Sequence, residues 1–223
     1  MEVMAAPPAR AINKARLEAL GHQVYVFTFG DLDYEDDEAN IHRSPGLAIL
    51  DTGYYVSIKY TKDARLLLAT MDVAHVHHPF ISGTMALRYC KPRGIPIIFT
   101  NHTRYDLYAQ TYLPAVPDIV GNTALETYLQ FFCRAVDLTI SPSPGMRAVL
   151  ESFGVNAKID VVPNGVDLTP YRQKIEPIER DRLGFNADDV VLAYVGRLGP
   201  EKNLSFLLRS FAGTAQAYEH VRL

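Results

Sequence analysis

The run Gly94-Ile95-Pro96-Ile97-Ile98-Phe99-Thr100-Asn101-His102-Thr103-Arg104 decides the fold. Its apolar, partly β-branched stretch, residues 95–100, follows a Pro- and Gly-bearing turn and reads as a buried strand. The stretch then stops abruptly at polar residues. The same pattern recurs on both sides. Upstream, a short strand over 72–77 runs into His78 and Pro79. Downstream, a strand over 137–141 is followed by Pro142, Ser143 and Gly145. A strand over 159–162 is followed by Pro163, Asn164, Gly165 and Asp167. A last apolar run, 190–195, reads as a buried strand and leads to Gly196, Arg197, Gly199, Glu201 and Lys202.

Helical spacing of apolar residues separates these strands, over 83–89, 122–135, 145–153 (closed by Gly154) and 204–211. Strands alternating with helices predict an α/β fold: a Rossmann-like parallel sheet with helices on both faces. Further toward the N-terminus, 9–20 predicts a helix ended by Gly21, and 23–29 a strand. The acidic run from Asp31 to Glu38 predicts a solvated loop, since it lacks EF-hand spacing. Residues 57–70 predict a helix with Leu66, Leu67 and Leu68 inward. Five strands thus precede a polar stretch over 167–189, and one follows it.

Composition narrows the function classes. The chain has 223 residues with 22 Lys+Arg against 25 Asp+Glu, a net charge of −3. That balance argues against a nucleic-acid binder working through a strongly basic surface. Cys90 and Cys133 form no CxxC, which predicts two reduced thiols in a cytoplasmic protein. No apolar run is long enough to span a membrane. Residues 1–10 lack the apolar segment of a secretory leader, so the Asn101-His102-Thr103 and Asn203-Leu204-Ser205 sequons are not expected to carry glycans.

In doubly wound sheets ligands bind outside the carboxyl ends of the strands, so the polar strand ends are the candidate site. His75-Val76-His77-His78 invites a metal reading, because His75 and His77 share one strand face. A zinc site would need His102, Asp72 or Asp106 to complete it. No second local pair supports that set, and no metal is expected. His75 is expected to sit within the strand, with His77 and His78 at its end. Ser141-Pro142-Ser143-Pro144-Gly145 resembles a damaged nucleophile elbow, but Pro144 has no N–H to offer an oxyanion. Two readings remain for it: a helix start facing an anion, or a plain serine cap. Gly196 to Asn203 combines glycines, Arg197, Lys202 and a helix start, which suits a diphosphate. It is neither a Walker A loop nor a GxGxxG turn.

Taken in order, His75-Val76-His77-His78-Pro79, Phe99-Thr100-Asn101-His102-Thr103, Ile140-Ser141-Pro142-Ser143, Val162-Pro163-Asn164-Gly165-Val166-Asp167 and Tyr194-Val195-Gly196-Arg197-Leu198 with Glu201-Lys202-Asn203 resemble the GT-B glycosyltransferases of family 4. That group includes sucrose, glycolipid and phosphatidylinositol sugar transferases, and the glycolipid type looks nearest. The resemblance implies two Rossmann-like domains facing across a cleft, acceptor on the first and nucleotide-sugar on the second. It implies transfer with retention of anomeric configuration. No cofactor or bound metal is implied beyond the nucleotide-sugar co-substrate. By motif, His102 would stand beside the donor sugar as the catalytic residue. Gly196, Arg197 and Lys202 would hold the donor diphosphate. His77, His78, Arg104, Ser143, Asn164 and Gly165 would line the acceptor side, with Gly165 at the crossing between domains.

The departures from the family shape the domain expectation. Residues 1–170 would be the acceptor-side domain without its first strand and Gly-rich loop. Residues 171–189 would be a linker, and 190–223 the opening of a truncated donor domain. On that reading the isolated chain is expected to transfer no sugar. The alternative from another class is a non-catalytic Rossmann-like binding module. Lys59, Lys62, Arg65 and Arg104 could meet anionic lipid at the inner face of a membrane, or form an ordinary solvated face.

Overall fold

The computed structural model describes residues 7–49, 54–107, 118–172, 174, 176–196, 198–199 and 202–223. The chain divides into two compact units. The first comprises Met1–Asp106 and Val116–Asp167, the second Leu107–Ala115 and Leu168–Leu223.

The first unit opens with helix α1 (Pro7–Ala19). Gly21 follows it at φ +90°, a left-handed conformation that glycine adopts without steric cost. Strands β1 (Val26–Gly30) and β2 (Ile41–Pro45) pair in parallel, Val26 opposite Ile41. Between them lies the acidic loop. It is anchored where Asp36 accepts two hydrogen bonds from Arg43, at 2.8 and 2.6 Å. Strand β3 (Leu47–Ile49) pairs antiparallel with β4 (Tyr54–Val56).

Helix α2 covers only Lys62–Leu68, where the sequence predicts a helix from residue 57. The hydroxyl of Thr61 accepts from Ala64 N–H and caps the helix there. Residues 54–56, just upstream, belong to the β3–β4 pair. Of the three leucines expected inward, Leu68 is buried while Leu66 is 59% exposed. Three consecutive helical residues span about 200° and cannot share one face.

The centre of the unit is a four-stranded parallel sheet in the order β5 (Ala74–Val76), β6 (Ile97–Thr100), β7 (Leu138–Ser141), β8 (Ile159–Val161). Helices α3 (Ile81–Tyr89), α4 (Asp118–Ala135) and α5 (Pro144–Ser152) connect the strands, with a 3-10 turn at Lys91–Arg93. The α/β reading with parallel strands therefore holds. Ile97, Phe99, Leu129, Phe132 and Leu150 are fully buried in the core, and Phe99 meets Phe132 edge-on at 5.1 Å. Burying each such side chain contributes on the order of 2 kcal/mol. Gly83 in α3 lets that helix approach: a Cβ there would lie 2.5 Å from Phe132 and 2.9 Å from the His78 carbonyl oxygen. Gly154 at φ +77° turns the chain from α5 toward β8. Cys90 and Cys133 are both buried free thiols.

The second unit contains the short helix α6 (Thr169–Arg172), a 3-10 turn at Arg180–Leu183, strand β9 (Val190–Val191), helix α7 (Leu204–Ala217) and strand β10 (Val221–Arg222). β9 and β10 pair in parallel. Residues 190–195 were expected to form a buried strand. Only Val190–Val191 are paired, and Val190 is 58% and Val195 93% exposed. A buried strand needs neighbours on both edges and both faces, and β10 is the one strand paired with β9 among the described residues. The buried Asp189 organises this unit. Its carboxylate accepts from Asn186 N–H at 2.8 Å and lies 3.1 Å from Arg222, and its carbonyl accepts from Arg180.

Candidate functional site

Because β5 to β8 run in parallel, all four end at the same edge of the sheet. His77 and His78 leave β5 there, Asn101 and His102 leave β6, Pro142 and Ser143 leave β7, and Val162 to Gly165 leave β8. Alternation along β6 sends Ile97 and Phe99 into the core and turns Thr100 to the opposite face.

Three histidines gather at the β5–β6 end. His75 Nε2 lies 2.7 Å from Thr100 Oγ1. The His75 and His77 rings stand 4.3 Å apart, tilted. His77 Nδ1 lies 3.0 Å from His102 Nε2, with the two rings stacked at 5.2 Å. Desolvation holds His102 below the ordinary histidine range. Desolvation, with His102 as a second cause, lowers His75 to about 4. His75 and His102 are therefore neutral at neutral pH. Neutral imidazoles can each donate and accept one hydrogen bond.

His78 differs from its neighbours. It is only 2% exposed, packed edge-on against Phe80 and Tyr105, and neither ring nitrogen has a hydrogen-bond partner among the described residues. Burial lowers it to about 3. The expected cleft residue is thus enclosed in the protein. Asn101 is equally enclosed: its amide donates to Met146 Sδ at 3.5 Å, and its Oδ1 is unpartnered among the described residues.

Arg104 follows His102 but does not present a bare charge. It grips Asp106 with two hydrogen bonds, at 2.9 and 2.5 Å. That pairing also removes Asp106 from any metal set. Among the described residues, no group of three or more His, Cys, Asp or Glu side chains is arranged to hold a metal ion. Ser143 is the N-cap of α5, its Oγ accepting from Met146 N–H at 3.2 Å, with Pro144 at the first helical position. Asn164 and Gly165 are exposed beyond β8.

In the second unit, Gly196 and Lys202 are exposed, and Arg197 lies outside the described residues. Lys202 N–H donates to Gly199 O at 3.0 Å, which closes the loop before α7. Asn203 enters α7 at φ +48° and its side chain makes no capping bond. The first N–H groups of α7 thus receive no cap from the Asn203 side chain.

Sequence reading singled out the strand ends but not the pairings between them. Thr100 as partner of His75, and Asp106 as partner of Arg104, are seen only in three dimensions. The one available signal was their position at the end of the strand that also carries His102.

A family model described as Glycosyltransferase Family 4 matches residues 14–170. An alpha-monoglucosyldiacylglycerol synthase from Acholeplasma laidlawii is 26% identical over 224 residues, 94% of this chain and 56% of the relative. A synthase of the same name from Streptococcus pneumoniae is 27% identical, over 94% of this chain and 49% of the relative. A D-inositol 3-phosphate glycosyltransferase from Segniliparus rotundus is 42% identical over 68% of this chain and 34% of its own length. The chain spans about half the length of the synthases it matches. No helix among the described residues is long and apolar enough to cross a membrane.

Proposed function

This chain belongs to Glycosyltransferase Family 4, and on that premise we propose that it carries the acceptor side and the opening of the donor side of a retaining glycosyltransferase. The observation that carries this is the coincidence of the family match with the polar edge of the four-stranded sheet, where His102 stands half-buried. In the reaction the bond from the sugar's anomeric carbon to the diphosphate breaks. A bond from that carbon to an acceptor hydroxyl oxygen forms, and the hydroxyl proton leaves with the departing phosphate. Positive charge develops on the sugar and negative charge on the diphosphate.

His102 is the residue we place beside the donor sugar. Its depressed basicity suits that place, because a neutral ring can hydrogen-bond sugar hydroxyls without repelling a cationic transition state. Gly196, Arg197 and Lys202 receive the diphosphate, aided by the uncapped start of α7. His77, Ser143, Asn164 and Gly165 serve the acceptor side. Arg104 acts there as an Asp106-bound pair, and His78 from beneath, as a buried support.

The names of the relatives favour a hydroxyl-bearing lipid as acceptor. Lys59, Lys62 and Arg65, exposed beside the exposed Ile58 and Leu66, would let the protein rest on an anionic membrane surface from the cytoplasmic side.

The test compares the 223-residue protein with a chimaera that adds the second half of the A. laidlawii synthase. The chimaera should transfer sugar from a nucleotide-sugar to diacylglycerol-type acceptors, and the 223-residue protein should not. His102→Ala should abolish transfer, and Arg197→Ala should lower kcat about 100-fold, as loss of one oxyanion donor does. EDTA should leave the rate intact. Unchanged kcat in Arg197→Ala, or an absolute divalent-ion requirement, would defeat the mechanism.

A further inference from the structure

We propose that His77 is a positioning residue that couples the tautomer of His102 to its own and fixes the ring orientation of His102. The proposal deepens the role given to His102 above and rests on that reading for its functional meaning.

His77 Nδ1 and His102 Nε2 are 3.0 Å apart, so a single proton lies between them. An uncharged imidazole pair carries two ring protons. One occupies the contact, and the other sits on one of the two outward nitrogens, His102 Nδ1 or His77 Nε2. His102 therefore takes either tautomer only together with the complementary tautomer of His77. Its Nε2 is committed to His77, and only Nδ1 is left to address a substrate.

The stacking of the two rings at 5.2 Å and 21° holds the plane of His102 as well. His77 is in turn fixed from behind, since its ring stands 4.3 Å from His75 and His75 is tied to Thr100. The arrangement repeats the logic by which a histidine's second nitrogen is set by the partner of the first. The reach across the strands is possible because β5 and β6 are paired in register, His75 opposite Ile98 and Val76 opposite Phe99. His77, one residue beyond Val76, and His102, three beyond Phe99, then meet at the sheet edge.

The experiment is nitrogen-15 NMR of the imidazoles in the 223-residue protein and two variants. His77→Asn keeps a hydrogen-bonding atom close to the Nδ1 position, whereas His77→Phe keeps the ring and removes both nitrogens. The wild type should show a scalar coupling across the hydrogen bond between His77 Nδ1 and His102 Nε2, with the His102 nitrogen shifts displaced from those of a free imidazole. His77→Phe should lose the coupling and shift the His102 ring nitrogens toward the averaged values of a free imidazole. His77→Asn should keep the His102 nitrogen shifts displaced. Backbone amide spectra establish that each variant is folded. A folded His77→Phe with unchanged His102 nitrogen shifts, or a wild type without the coupling, would overturn the proposal.

Because no substrate enters this measurement, it separates from the transferase reading. The NMR pattern together with an inactive chimaera would leave His77 as the setter of His102 and remove the catalytic role of His102. Full activity of the His77→Phe chimaera, with kcat and KM unchanged, would show that the tautomer has no bearing on transfer and would also count against the proposal.

Discussion

Asp137 clasps Ile97 by both of its polar ends. Its Oδ2 accepts from the Ile97 N–H at 2.7 Å, and its own N–H donates to the Ile97 carbonyl at 2.9 Å. The residue before β7 thereby fixes where β6 begins, across 40 positions of sequence. Because the carboxylate is exposed, we expect Asp137→Ala to cost about 1 kcal/mol, below the usual figure for a charged acceptor. Asp137→Asn, which keeps an acceptor, should cost less. Urea midpoints of the two variants check the order, and equal midpoints for Ala and wild type would contradict it.

Gly83→Ala should be more damaging. The added methyl would meet the buried Phe132 ring on one side and a backbone oxygen on the other, and neither has room to yield. Overpacking of this kind costs about 1–3 kcal/mol, and here the upper end is expected. A thermal scan that finds no loss in Gly83→Ala would show the α3–α4 contact to be looser than described.

Acid should unfold the first unit early. His78 and His75 are held neutral in the fold, near 3 and 4, while an unfolded histidine titrates near 6.5. Between those values the unfolded chain binds more protons, so stability rises with pH through that range. The contribution is complete above about pH 6.5 and is lost as pH falls toward 4 and then 3. Each fully buried group supplies a slope of about 1.4 kcal/mol per pH unit. His75 keeps an exposed edge, and its share is smaller. His78→Leu removes two unpartnered nitrogens from the interior. It should raise stability at pH 7 or leave it unchanged, and should flatten the acid limb. Denaturant curves at pH 7, 6 and 5 decide this. An unaltered slope in His78→Leu would mean that another group carries the acid sensitivity.

Ser143→Ala should cost about 1 kcal/mol through loss of the α5 cap, and Ser143→Asp should retain most of it. If Asp proves as poor as Ala, the Ser143 hydroxyl is engaged in something other than capping.

The parallel core was legible in the sequence because its strands are short, apolar and followed by turn or polar residues. Residues 97–100, 138–141 and 159–161 fall inside the predicted runs. Gly21 and Gly154 marked two helix ends through the conformation they alone adopt easily. Strand β2 carried no such signal. Ile41-His42-Arg43-Ser44 has neither alternation nor an apolar run, and it is held as a strand by partners elsewhere: Asp36 on Arg43, and the Thr61 N–H donating to Ser44 Oγ. At the candidate site the sequence located the edge but not the pairings within it. Nothing in His77-His78 says that one ring reaches His102 while its neighbour is sealed inside. That difference comes from the β-strand's alternation continued two residues past its end, with Phe80 and Tyr105 closing over the inward ring.

The two cysteines give the molecule a built-in reporter. Burial pushes both thiols up to about 11, so neither reacts as a thiolate while the first unit is closed. Neither lies in the second unit. An alkylating reagent therefore times the opening of the parallel sheet and is blind to fraying of the part built around Asp189. Paired with hydrogen exchange, which sees both units, the labelling rate would tell whether they unfold as one cooperative body or come apart in sequence.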